Sequence, residues 1–205
     1  MPLERALSPI EPLAAPVLAG ERYAGRPVYY SDVIVHRDSP IGRLEQLRGC
    51  SWAYNDRASH SGYTVTLHTL VRMGARPGFF GRVVRAGFHE RALQLVARGA
   101  VDASAIDSQV LAMALRDQPH LAASLRTIGA LGPSTIQPVV AAAHLPERTK
   151  TVVRDTLLEL AGDEAARAAL RHGLIERFVA VHDTAYDDIR AMLATVRAAG
   201  YTTLR

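Results

Sequence analysis

Apolar positions along this chain fall into two spacings that take turns. VYYSDVIVHR (28–37) alternates β-branched and aromatic residues with polar ones, the period of a strand. CSWAYN (50–55), RVVRAG (82–87), VDASAID (101–107), LRTIGALG (125–132), PVVAA (138–142) and RFVAV (177–181) read the same way. Between them lie stretches with apolar residues three and four apart, the period of a helix. These are 59–74, with Val65, Leu67, Leu70 and Val71 inward, then 89–99 and 108–118, with further helices over 145–161, 163–172 and 183–199. IGRLEQLRG (41–49) reads as a short helix closed by Gly49. Residues 1–27 are rich in Pro, Ala and Gly, and predict loop with a short helix. Strands alternating with helices define an α/β fold with mainly parallel sheets.

The alternation is densest over 36–128, which predicts one lobe there and a second lobe from 1–35 and 129–205, joined by two crossing strands. The composition allows this: 48% of the 205 residues are hydrophobic, enough for a core in each lobe. The net charge is +4, and Lys150 is the single lysine, so arginine carries almost all of the positive charge. The arginines are scattered without aromatic interleaving, which argues against a nucleic-acid surface. No apolar run approaches the roughly 20 residues of a membrane helix. The opening MPLERALSPIEPLAAP lacks the positive-then-apolar order of a secretory signal, so the chain as written reads as cytoplasmic. Cys50 stands alone, which rules out an internal disulfide.

In a parallel α/β sheet, ligands bind beyond the carboxyl ends of the strands. Three polar junctions sit there: Ser59-His60-Ser61-Gly62 after 50–55, His89 after 82–87, and Asp107-Ser108 after 101–107. A helix start offers unpaired N–H groups and a partial positive charge, so hydroxyls at that point either cap the helix or help hold an anion. Gly62 would let the backbone approach a ligand closely. The simpler reading makes Ser59 or Ser61 an N-cap, His89 and Asp107 caps of their own helices, and His60 a surface residue. Two enzyme-like readings are weaker. A nucleophile elbow needs a glycine two residues before the serine, and Ala58 or Ser59 holds that place. A zinc site from His60, His89 and Asp107 has three ligands but no supporting helical spacing.

Three blocks, YYSDVIVHRDSPIGRLEQLRGCSWAYNDRASHSGY, GFHERALQLVARGAVDASAIDSQVL and LGPSTIQPVV, together resemble the phosphate/phosphonate-type substrate-binding proteins of ABC transporters. The resemblance covers most of 23–195 and implies a two-lobed type 2 periplasmic-binding-protein fold. It implies that the serine turn holds phosphonate or phosphate oxygens through Ser59, His60 and Ser61, with backbone N–H groups from Ser61 to Tyr63. It further implies roles for His89, for Asp107, and for Tyr29 or Tyr30 on the first crossing strand. Family members begin with an export signal and a complete first half-lobe. This chain starts where that half-lobe should be finishing, so the first lobe is expected to be N-terminally truncated, with an open edge that invites a homodimer. His60 stands where relatives often have a small hydroxyl residue.

The resulting expectation is a non-enzymatic protein that holds a small phosphate- or phosphonate-like anion in an inter-lobe cleft. Asp107 would favour a ligand with an acidic proton or an amine, since a fully ionised anion would repel it. No cofactor or metal is implied. The expected partners are the anionic ligand and an ABC-transporter permease, with no nucleic acid and no membrane insertion; the family is usually periplasmic or lipid-anchored outside the cytoplasm. The alternatives are a cytoplasmic enzyme or a ligand sensor on the same scaffold.

Overall fold

A computed structural model describes residues 9–204. In chain order the strands are β1 (Ile10–Leu18), β2 (Val28–His36), β3 (Ser51–Tyr54), β4 (Arg82–Arg85), β5 (Ala103–Asp107), β6 (Leu125–Thr135), β7 (Val139–Ala142) and β8 (Ile175–Ala180). The α-helices are α1 (Val65–Arg72), α2 (His89–Ala97), α3 (Ser108–Asp117), α4 (Pro119–Ser124), α5 (Glu147–Glu159), α6 (Glu164–His172) and α7 (Asp187–Ala198). The chain divides into two compact units. The first takes residues up to Val28 together with Thr135–Asp187; the second takes Tyr29–Ser134 and everything from Asp188 on.

The first unit is built on a three-stranded sheet in the order β7-β1-β8. Here the sequence expectation of loop and short helix over 1–27 is corrected. Residues 10–18 are the middle strand, paired antiparallel on both sides, and only Glu21–Tyr23 form a short 3-10 turn. Residues 1–8 of that expectation lie outside the described residues. Pro12 and Pro16 hide the strand, because proline cannot donate to a ladder. A register shift between Pro12 and Ala14 accommodates the first of them. Burial of Leu13, Ala14, Ala15, Val17 and Leu18 supplies the driving force. Lys150 on α5 ties that helix to β1: its Nζ lies 2.7 Å from Glu11 and 3.1 Å from Glu147.

The second unit carries a five-stranded sheet in the order β4-β3-β5-β2-β6. Alternation along its strands sends side chains to two cores. Val33, Val35, Trp52 and Tyr54 join Leu67 and Leu70 of α1 on one face. Ile34, Ala53 and Ile106 join Leu93 and Val96 of α2 and Leu111 of α3 on the other. Such burial contributes about 1.5–3 kcal/mol for each large apolar side chain. Val196 of α7, with Tyr201 and Leu204 beyond it, sinks into the first of these cores. The expected lobe boundaries at 35/36 and 128/129 therefore fall inside β2 and β6, and α7 goes with the second unit.

The sheets are mixed rather than mainly parallel. β3 runs parallel to β4 and β5, but β2 is antiparallel to β5, and both pairings of the small sheet are antiparallel. The expected helix over 41–49 shrinks to a 3-10 turn, Leu44–Leu47, and α4 is an element the periodicity did not predict. For the site, the parallel trio matters most. It brings the carboxyl ends of β3, β4 and β5, at Tyr54, Arg85 and Asp107, to one edge of the sheet.

Candidate functional site

The turn leaving β3 shows why a serine, a histidine, a second serine and a glycine follow one another. His60–Thr64 winds as a π-type turn that runs straight into α1. Ser59 is its N-cap: backbone extended, with Oγ accepting from the N–H of Gly62 at 3.1 Å. The simple cap reading thus holds for Ser59, and the Gly62 amide, expected to face a ligand, is taken by that cap. Gly62 has no room for a side chain. A Cβ there would overlap Asn55 Oδ1 and lie 2.8 Å from Asn55 Cγ.

Ser61 has a different surrounding. It is 4% exposed, and its Oγ lies 3.1 Å from Nε2 of His89 at the start of α2. The Nδ2 of Asn55, the residue just after β3, lies 3.2 Å from the same Nε2. The Tyr29 hydroxyl is hydrogen-bonded to the Ser61 side chain, so Ser61 joins β2 to α2. The neighbouring His60 places its Nε2 2.8 Å from Ser134 Oγ at the end of β6, with its ring 6.4 Å from that of Tyr29. The Nδ1 atoms of both histidines are buried and have no hydrogen-bond partner. Tyr29, Asn55, His60, Ser61, His89 and Ser134 all belong to the second unit.

Burial keeps the histidines and the phenol of this cluster uncharged. Burial lowers the pKa of His60 and of His89, and outweighs the opposing pull of Asp188 on the first and of Asp107 and Glu90 on the second. Burial, reinforced by Asp107 and opposed by the Ser61 hydrogen bond, raises the Tyr29 phenol far above its ordinary range, so it stays protonated. The partners given above for Tyr29, Asn55, His60, Ser61 and His89 are uncharged side chains. A nearby concavity of about 410 Å³, lined by Tyr54, Asp56, Arg57 and Arg85, does carry guanidinium groups, and there Arg85 pairs with Asp56.

The three junctions expected on one edge do lie on one edge; Ser61 and His89 enter one hydrogen-bonded cluster with Tyr29, while His60 bonds to Ser134 beside it. Tyr29 rather than Tyr30 reaches it; adjacent strand residues face opposite ways, and the Tyr30 N–H instead receives Ser108 Oγ as its acceptor. Asp107 is 7% exposed and caps α3, accepting from Gln109 and Val110. Tyr63 packs against Tyr54, ring centroids 5.0 Å apart, and its hydroxyl reaches the carbonyl of Thr202. Sequence reasoning missed Asn55, Ser134 and Asp188. Asn55 could have been found by its place at the carboxyl end of a parallel strand. The other two arrive through contacts far along the chain.

Ser61 and His89 lie within the reach of a nucleophile and its base. The third member of such a triad is missing, because no group accepts from His89 Nδ1. Among the described residues no group of three His, Cys, Asp or Glu is placed to hold a metal.

The fold is that of the periplasmic-binding-protein class. The chain is a member of one family within it: residues 5–186 match the model described as "ABC transporter, phosphonate, periplasmic substrate-binding protein". That family is one of binding proteins rather than enzymes. Solved structures share the fold. A binding protein component of a Pseudomonas aeruginosa ABC phosphonate transporter is 24% identical with a TM-score of 0.81, over 95% of this chain and 65% of that one. This chain thus spans a little under two thirds of that protein. A Prochlorococcus marinus protein in complex with methylphosphonate is 18% identical with a TM-score of 0.75, over 91% of this chain and 72% of that one. A Xanthomonas citri protein bound to chloride is 20% identical with a TM-score of 0.69, over 95% and 72%. No helix among the described residues is long and apolar enough to cross a membrane.

Proposed function

We propose that this protein binds a small phosphonate- or phosphate-like anion at the Ser61–His89–Tyr29 cluster and serves as the solute-binding component of an ABC transporter. The observation that carries the reading is the buried Ser61 hydroxyl, held between the Tyr29 phenol and His89 at the start of a helix that follows a parallel strand. Hydroxyl and imidazole donors at a helix N-terminus suit an oxyanion. Family membership, and the methylphosphonate in the Prochlorococcus relative, support phosphorus over other central atoms.

The ligand charge follows from the surroundings. The two histidines are neutral, and Asp107 lies close enough to raise the Tyr29 phenol. A carboxylate beside the site disfavours a fully ionised dianion. The site therefore favours a monoanion that keeps a proton, or a zwitterion with an amine. The permease and the family's periplasmic setting come with this reading.

A thermal-shift series with phosphate, phosphite, methylphosphonate, 2-aminoethylphosphonate and sulfate tests it. A ligand at about 100 times its Kd stabilises the folded chain by about 2.7 kcal/mol. One of the phosphorus anions should shift the unfolding temperature and sulfate should not. An absence of shift with every phosphorus anion refutes the proposal.

A further inference from the structure

We propose that Asn55 is a positioning residue: its amide holds the neutral His89 ring in the tautomer with the proton on Nδ1, making His89 a fixed hydrogen-bond donor to the ligand. The proposal deepens the binding role above and rests on it.

The argument begins with what each atom can do. A carboxamide nitrogen is a donor only. Asn55 Nδ2, 3.2 Å from His89 Nε2, therefore requires a bare lone pair on Nε2. Ser61 supports the same assignment. Without ligand the Ser61 hydroxyl, 3.1 Å from the same Nε2, is free to turn its proton there. With the Nε2 lone pair facing the Asn55 amide, the proton of a neutral imidazole is left on the other nitrogen. That other nitrogen, Nδ1, is buried without a partner. A buried donor with no acceptor is unfavourable, so the arrangement is one that an acceptor oxygen completes.

The positioning of Asn55 is itself enforced. Its side chain fills the space that a Cβ on residue 62 would need, so Gly62 and Asn55 are complementary. In this arrangement His89 offers an N–H without carrying a charge. A charged imidazolium would hold any anion by simple attraction; a neutral donor with fixed direction selects a ligand by where its oxygen lies.

The test is a long-range proton–nitrogen NMR correlation on the full chain labelled with 15N-histidine, near neutral pH and without ligand. His89 is assigned by its loss in His89→Gln. The wild-type spectrum should show the proton on Nδ1 of His89; a proton on Nε2 overturns the proposal outright. In Asn55→Asp the carboxylate accepts rather than donates, so the proton should move to Nε2. Methylphosphonate affinity should then fall by roughly tenfold or more, the loss of a charge-assisted hydrogen bond. Asn55→Ser, which restores a donor, should recover the Nδ1 tautomer. If Asn55→Asp keeps the proton on Nδ1, Asn55 has no such role. If Asn55→Asp does not fold, the wild-type spectrum alone decides. If methylphosphonate does not bind the wild-type chain, the binding reading fails while the spectrum still settles the tautomer.

Discussion

Gly62→Ala is the sharpest probe of the way this site is packed. The added Cβ would overlap Asn55 Oδ1 and press on Asn55 Cγ at 2.8 Å and Asn55 N at 3.4 Å. The backbone of Asn55 is anchored at the end of β3, where its carbonyl accepts from Gly87, so the side chain must swing away. Three contributions set the size of the effect. Overpacking costs about 1–3 kcal/mol. Loss of the Asn55–His89 hydrogen bond costs about 1 kcal/mol more. Replacing glycine by alanine within a helical turn returns about 1 kcal/mol. The net is a loss near 2 kcal/mol, equivalent to about 4–8 °C in Tm for a chain of this size. Gly129→Ala is the control, since nothing lies within 4 Å of its added Cβ. Thermal unfolding followed by circular dichroism reads the stability, and calorimetric titration with methylphosphonate reads the site. A Gly62→Ala protein with Tm within about 1 °C of wild type and unchanged affinity would refute the packing argument.

Ser59→Ala should lower stability by about 0.5–2 kcal/mol through loss of the cap, with anion affinity little changed. Urea unfolding and titration separate the two effects, and lost binding at full stability would make Ser59 a ligand group instead. Tyr29→Phe removes a buried donor from the cluster and should weaken methylphosphonate binding by roughly tenfold, a loss of about 1.4 kcal/mol; equal affinity would take Tyr29 out of the site. Burial holds His60, His68 and His89 below their ordinary value of 6.5, so the folded chain resists protonation that the unfolded chain accepts. Their contribution is complete above that value and declines as pH falls below it. The urea midpoint should therefore drop between about pH 7.5 and about pH 5.5, and less so in His60→Gln/His89→Gln; an equal drop in the double variant removes the histidines as its cause.

The sequence exposed what local pattern controls and concealed what distant pairing controls. The strand–helix alternation of 50–118 was legible because each element there buries its own apolar face against its neighbours in sequence. β1 was not, because two prolines break its alternation and its partners, β7 and β8, lie far along the chain. The antiparallel direction of β2 against β5 leaves no trace in periodicity, which is why the sheets were expected to be more parallel than they are. The site divides in the same way. Ser59, His60, Ser61, Gly62 and His89 lie at helix starts, where turn chemistry is readable from a few residues. Asn55 was read as the end of a strand, and Ser134 was given no role. Their roles depend on bonds to residues 34 and 74 positions away. Asp107 shows the limit of the method: its capping of α3 and its influence on His89 and Tyr29 coexist, and only the first is visible in the sequence.

The central claim is that the serine turn after β3 holds a phosphorus anion rather than merely starting a helix. Isothermal titration of the full chain and of Ser61→Ala with methylphosphonate tests this most directly. The account predicts saturable one-site binding to the wild-type chain, and none to a folded Ser61→Ala protein. Equal binding by both proteins, or no binding by the wild-type chain to methylphosphonate and its phosphate, phosphite and 2-aminoethylphosphonate counterparts, would contradict it.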